Sequence, residues 1–102
     1  MTINELKTNG SLPIIYDYGF GEFCRIKVID IYKIKGTNCW LNAKIIDNSF
    51  MDERNKPFYV IGSIHSFSNS FLYSNIKAMK LGHEVYKKTQ IAFIKKAFNR
   101  SK

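Results

Sequence analysis

Ser63 and His65, within Gly62-Ser63-Ile64-His65-Ser66, bring a nucleophile and a base within two residues of each other. On a strand, side chains two apart share a face at roughly 6–7 Å, beyond a hydrogen bond. The run also lacks the Gly-x-Ser-x-Gly elbow that lifts a nucleophilic serine out of a sheet. It therefore predicts a surface or half-buried histidine, not an activated serine. Cys24, Cys39, His65 and His83 carry metal-ligand chemistry, but gaps of 14, 25 and 17 residues are unlike the short paired spacings of structural zinc sites. Asp47, Asp52 and Glu53, followed by Lys56, form an acidic cluster of the kind a metal-dependent nuclease needs. Two residues separate Glu53 from Lys56, whereas one strand face requires a single residue between them. The cluster lies in the polar run 48–57, which reads as an exposed loop. Gly19-Phe20-Gly21 continues into Glu22 and a strand, where a dinucleotide fingerprint requires a third glycine and a helix. On these grounds no catalytic residue and no metal ligand is assigned, no cofactor is called for, and the chain reads as non-enzymatic.

The remaining chemistry is binding. Residues 70–102 carry Lys77, Lys80, Lys87, Lys88, Lys95, Lys96, Arg100 and Lys102 against one acid, Glu84, a net +7 of the chain's +8. Charge confined to one third of a chain is a local field that steers polyanions or acidic partners toward one face. Arg25, Lys27, Lys33 and Lys35 alternate along a strand and add a second basic array, with Lys44 and Trp40 expected on the neighbouring strand. Single-stranded nucleic acid asks for such cations together with exposed rings on which bases stack. Trp40, Tyr18 and Phe20 are the candidate stacking or hot-spot rings. The leading expectation is a small nucleic-acid-binding protein that holds DNA or RNA phosphates through Arg25, Lys27, Lys77, Lys80, Lys87, Lys88, Lys95, Lys96 and Arg100. The alternative is an accessory or inhibitor protein that docks on an acidic surface of a larger host protein, with a few aromatics such as Trp40, Tyr73 or Phe71 as the hot spot.

The elements that must position these residues follow from periodicity. A short helix over residues 2–8 has Thr2 as N-cap and Glu5 three places on, the capping-box spacing. Residues 12–18 alternate as a strand, with Pro13 placing it at a sheet edge or at the strand's beginning; an open edge there leaves room for a homodimer. Residues 23–35 are the clearest strand: Cys24, Ile26, Val28, Tyr32 and Ile34 on one face, the basic residues on the other, with Asp30 predicting a bend or bulge. Gly36 turns the chain into a strand over 39–47, a hairpin in which opposite positions sum to about 72, so the cysteines do not face each other. Residues 58–67 read as a fourth strand, apolar on both faces at its start and so central or covered. The C-terminal segment opens with Asn69 or Ser70 as N-cap and packs through Leu72, Ile76, Met79, Phe93, Ile94 and Phe98, with Gly82 either breaking or weakening it.

The fold expected is α+β, one domain over 1–102: a short N-terminal helix (1–10), a small antiparallel sheet or half-open SH3-like barrel of about four strands (12–67), and one or two basic amphipathic C-terminal helices (70–102). Ile, Lys, Asn, Phe and Tyr make up 50 of the 102 residues, all with codons that begin with two A/T bases, which points to an AT-rich genome, such as that of a low-GC bacterium or one of its viruses or mobile elements. Residues 1–10 lack the apolar run of a secretory signal, and no apolar run approaches the ~20 residues that span a bilayer. The expectation is a cytoplasmic protein with reduced, buried Cys24 and Cys39 and no integral membrane association.

Overall fold

The computed structural model describes residues 1–9 and 12–100, with side chains described through Lys88. Its elements are α1 (Ile3–Thr8), β1 (Ile14–Gly19), β2 (Glu22–Lys35), β3 (Asn38–Asp47), β4 (Ile64–Ser68), β5 (Leu72–Tyr73) and α2 (Ile76–Arg100), with single 3-10 turns at Lys56–Phe58 and Asn69–Phe71. The strands form one antiparallel sheet in the order β4-β3-β2-β1-β5. The architecture is α+β, with five strands and one C-terminal helix.

The inner face of the sheet carries the main core: Ile14, Cys24, Ile26, Leu41, Ala43, Ile45, Phe67 and Leu72, closed by Leu6 from α1 and Met51 from the loop after β3. Six residues form α1 because both halves of the capping box are made: the Glu5 amide donates to Thr2 Oγ1 and the Thr2 amide to Glu5 Oε1, each at 3.1 Å. The β2–β3 hairpin turns at Gly36, whose φ of +64° is unfavourable for any residue with a Cβ. Its register starts at Lys35↔Asn38 and passes Asp30↔Asn42, in the neighbourhood of the predicted sum. Register shifts between Val28 and Asp30 and between Ile31 and Lys33 put bulges where Asp30 interrupts the pattern. They also correct the predicted face: Ile31, opposite buried Leu41, takes the inner position. Tyr32 moves to the outer side, where its hydroxyl meets Ser66 Oγ.

Helix α2 packs on the outer face, over the β1–β5 end. Ile15, Phe23 and Met79 make a second small core there, with Tyr73 and Ile76 against it. The helix begins later than predicted: residues 70–75 are a 3-10 turn and a strand, and Asn75 caps it by accepting from the Ala78 amide at 2.8 Å. Leu72 therefore belongs to the inner core as part of β5, paired with Tyr16, not to the helix. Gly82 does not break α2. A Cβ there would stand 2.8 Å from Tyr73 Cε1, so glycine lets the helix lie close on β5. One residue on, His83 Nε2 meets Asp17 Oδ2 at 2.6 Å, while the Gly19 amide donates to Asp17 Oδ1, tying α2 to the end of β1. The predicted contacts of Phe93, Ile94 and Phe98 lie outside the described side chains.

The predicted fourth strand is corrected too. Only Ile64–Ser68 is strand, and it is a sheet edge, not a central strand, with the preceding Phe58, Val60 and Ile61 exposed. Nor is β1 an edge, since β5 pairs with Ile15 and Tyr16; Pro13 stands immediately before the strand. Buried Asn69 ties these parts together: its Oδ1 accepts from the Cys39 amide, and its Nδ2 donates to the carbonyls of Met1 and Thr37. Among the described residues no helix is long and apolar enough to cross a membrane.

Candidate functional site

The outer face beyond α2 is an open polar surface built from β2, β3 and β4. Phe23, Arg25 and Lys27 follow one another on this side of β2, so the face that seats Met79 runs directly into the basic residues. Lys27 lies opposite Lys44, and Lys33 lies opposite Trp40 with its ammonium 5.1 Å from the ring centroid. Between them Asp30 Oδ1 accepts from Asn42 Nδ2 at 2.9 Å, and Ser66 and Ser68 of β4 continue the rows. Among the described residues the ion pairs are Arg25–Asp47, Arg54–Asp52, Lys56–Glu53 and His83–Asp17. None uses Lys27, Lys33 or Lys44. Like charges directly opposed across an antiparallel pair oppose pairing, so Lys27 and Lys44 form a site that an anion would relieve.

The predicted cations divide accordingly. Lys27 is exposed on this surface, and Lys77, Lys80, Lys87 and Lys88 are exposed on α2, which lies on the same side of the sheet. Arg25 is half-buried and 3.9 Å from Asp47. Hydrogen bonds from the Ser49 hydroxyl and amide hold the Asp47 carboxyl below the usual carboxylate range, which keeps it charged beside Arg25. Lys95, Lys96 and Arg100 lie on the helical backbone but outside the described side chains.

The three predicted rings do not come together. Trp40 joins the basic surface, half-buried beneath Lys33. Tyr18 and Phe20 sit at the far end of β2, roughly 35 Å away at the rise of an extended strand. Tyr18 packs edge-on to Tyr59, whereas Phe20 is 98% exposed at the tip of the β1–β2 turn, with φ of +56° between two glycines also at positive φ. Both rim an open cleft of about 740 Å³ with Phe50, Met51, Glu22 and Arg54. Phe50 stacks on Phe23 at 4.5 Å, and the Glu22 carboxylate accepts from the Asp52 amide and Asn55 Nδ2. Of the acidic cluster only Asp52 lines this cleft, while Asp47 lies beside Arg25 and Glu53 is paired to Lys56 at 2.7 Å.

The separation expected for Ser63 and His65 is not what the fold builds. Ser63 precedes β4 in a turn after Gly62, and its Oγ lies 2.9 Å from His65 Nε2. The same hydroxyl donates to the Val60 carbonyl. With its proton committed there, Ser63 accepts from the histidine, which is the reverse of nucleophile activation. Cys24 and Cys39 are buried free thiols; burial pushes the Cys24 thiol up to about 11. The Asp17–His83 contact went unread, because nothing local in the sequence links residues 66 apart. The chain matches no family model, and no curated protein and no solved structure matches it.

Proposed function

We propose that this protein binds nucleic acid, holding phosphates along the outer side of the sheet with Lys27, Lys33 and Lys44 and with the α2 lysines of a basic amphipathic helix. The observation that carries the reading is the Lys27↔Lys44 opposition, a pair of exposed cations with no carboxylate within ion-pair distance among the described residues. Contacts of this kind position a strand without reading its sequence. Trp40 supplies one ring to this surface, and its stacking on Lys33 leaves it half-covered until a base displaces the lysine.

The test is fluorescence anisotropy of labelled single-stranded DNA, duplex DNA and RNA, between ~50 and ~200 mM salt, where phosphate contacts lose most of their strength. A steep log–log salt slope that falls in Lys27→Glu and in Lys88→Glu/Lys95→Glu supports the reading. Absence of binding at the lowest salt rejects it. The second reading, a protein that docks on an acidic partner, gains support from Phe20, an exposed ring that the turn holds in a costly backbone conformation. Co-purification of one stoichiometric partner, lost in Phe20→Ser, would favour it.

A further inference from the structure

We infer that two copies of this chain pair through β4 to make one continuous sheet. β4 is the terminal strand on its side of the sheet and pairs with β3 alone. The Ile45 amide bonds the Ser63 carbonyl, so the alternation of an antiparallel ladder puts His65 and Phe67 in the hydrogen-bonded positions against β3. The backbone N–H and C=O groups of Ile64 and Ser66 and the N–H of Ser68 are therefore directed outward, with no strand among the described residues to receive them, while the Ser68 carbonyl opens the 3-10 turn Asn69–Phe71. Native edges are commonly blunted by charge, proline or brevity. The opposite edge is short, with two residues in β5 running directly into α2. β4 has five residues, none of them Lys, Arg, Asp, Glu or Pro.

The approach to this edge is apolar. Phe58, Val60, Ile61 and Ile64 are 70, 53, 60 and 60% exposed within seven residues. At roughly 150–200 Å² for a fully exposed residue of this size, they present about 400 Å² per copy, at the upper end of what a monomer leaves in one patch. Two copies would bury about 800 Å² from these side chains, and the strand backbones and serines bring the total toward the ~1,200 Å² at which stable interfaces begin. The occupant that supplies an equal unpaired edge is a second copy, and antiparallel pairing brings the apolar approach of each copy toward the exposed Phe71 that follows β4 in the other.

A two-fold axis through Ser66 satisfies both edges at once: Ile64 lies opposite the partner's Ser68, and Ser66 opposite the partner's Ser66. The small side chains let the strands close to the usual ~4.8 Å. Because the axis stands perpendicular to the sheet, both outer faces point the same way. The two β3 strands come to rest roughly 14 Å apart, three strand spacings, and the Lys44 and Trp40 rows become one surface. The pairing does not depend on the nucleic-acid reading, although that reading gives the joined face its use.

Sedimentation equilibrium of the protein alone tests it. An interface of this size should give a Kd of roughly 1–50 µM, so the mass should climb from 11.9 kDa toward twice that value between about 1 and 200 µM. Ile61→Lys with Ile64→Lys, both on exposed side chains, should hold the chain at the monomer mass throughout. A parent that stays monomeric at the highest concentration, or a double variant that dimerises like the parent, overturns the inference. Amide exchange provides a check without any substitution: the Ile64 and Ser66 amides should exchange more slowly as concentration rises, and rates independent of concentration would also overturn it.

Discussion

Lys44→Glu puts opposite charges where the β2–β3 register now opposes like ones. Directly opposed residues have Cβ atoms ~4.5–5.5 Å apart, so two splayed ammonium groups stand roughly 6–8 Å from each other. In a water-like dielectric that repulsion is about 0.5–0.7 kcal/mol, and a ~8 Å Debye length at physiological salt removes roughly half of it. Reversing one sign turns repulsion into attraction of similar size. The variant should therefore be more stable by roughly 0.5–1 kcal/mol at low salt, a Tm higher by about 2–8 °C in a domain of this size. The same change deletes one phosphate-binding cation and adds an anion, so the salt slope of binding should fall by about 1–2 and affinity near 100 mM by roughly tenfold. Thermal melting at two salt concentrations, run beside anisotropy titrations, reads both effects, and added salt should stabilise the parent more than the variant. A variant that melts below the parent at low salt would show that the lysines do not repel across the pair. A stabilised variant that binds as tightly as the parent, with an unchanged slope, would remove the sheet face from the binding surface.

Asn69→Ala strips the Cys39 amide and the Met1 and Thr37 carbonyls of their partner in a buried setting; urea unfolding should show a loss of about 2–4 kcal/mol, and a loss under 1 kcal/mol would mean that this hub is not needed. Gly82→Ala gains up to ~1 kcal/mol of helix propensity but drives a methyl into the Tyr73 ring, so a net loss of about 1 kcal/mol is expected by the same assay, and a more stable variant would refute the close packing. The Cys24 thiol, pushed from 9.0 up to about 11 by burial, should react with a disulfide reagent only on unfolding. Because its folded value lies above its unfolded one, the stability it contributes is intact below pH 9.0 and lost as pH rises toward about 11; a urea midpoint equally flat in parent and Cys24→Ala across that window would contradict this.

Legibility followed the range of the interactions. The capping box, the turn at Gly36, the bulges near Asp30 and the basic face of β2 are all set by neighbours within a few residues, and each was readable. The candidate surface was half readable: alternation put Lys27 and Lys33 on one side, and the hairpin arithmetic brought Lys44 and Trp40 beside them. Residue types mark Trp40, Tyr18 and Phe20 as rings without a spatial grouping, and the fold sets Trp40 at the opposite end of β2 from the other two. Ser63 and His65 were judged by ideal strand geometry, and the turn after Gly62 removes Ser63 from that geometry.

By itself the sequence determined an antiparallel α+β domain, the β2–β3 register and a chain whose charge is concentrated at one end, since these depend on local sterics, period-2 alternation and composition. Tertiary structure decided the stretch from Phe58 to Tyr73. Its apolar residues suit a strand or a helix equally, and Leu72, Ile76 and Met79 keep helical spacing although Leu72 lies in β5. The free side of β1 at Ile15 and Tyr16 is what makes Leu72–Tyr73 a strand, and the pairing of Ile64–Ser68 with β3 is what makes that run an edge. Strand pairing is satisfied by backbone groups distant in the chain, so which segment wins each edge is settled only when the whole sheet assembles.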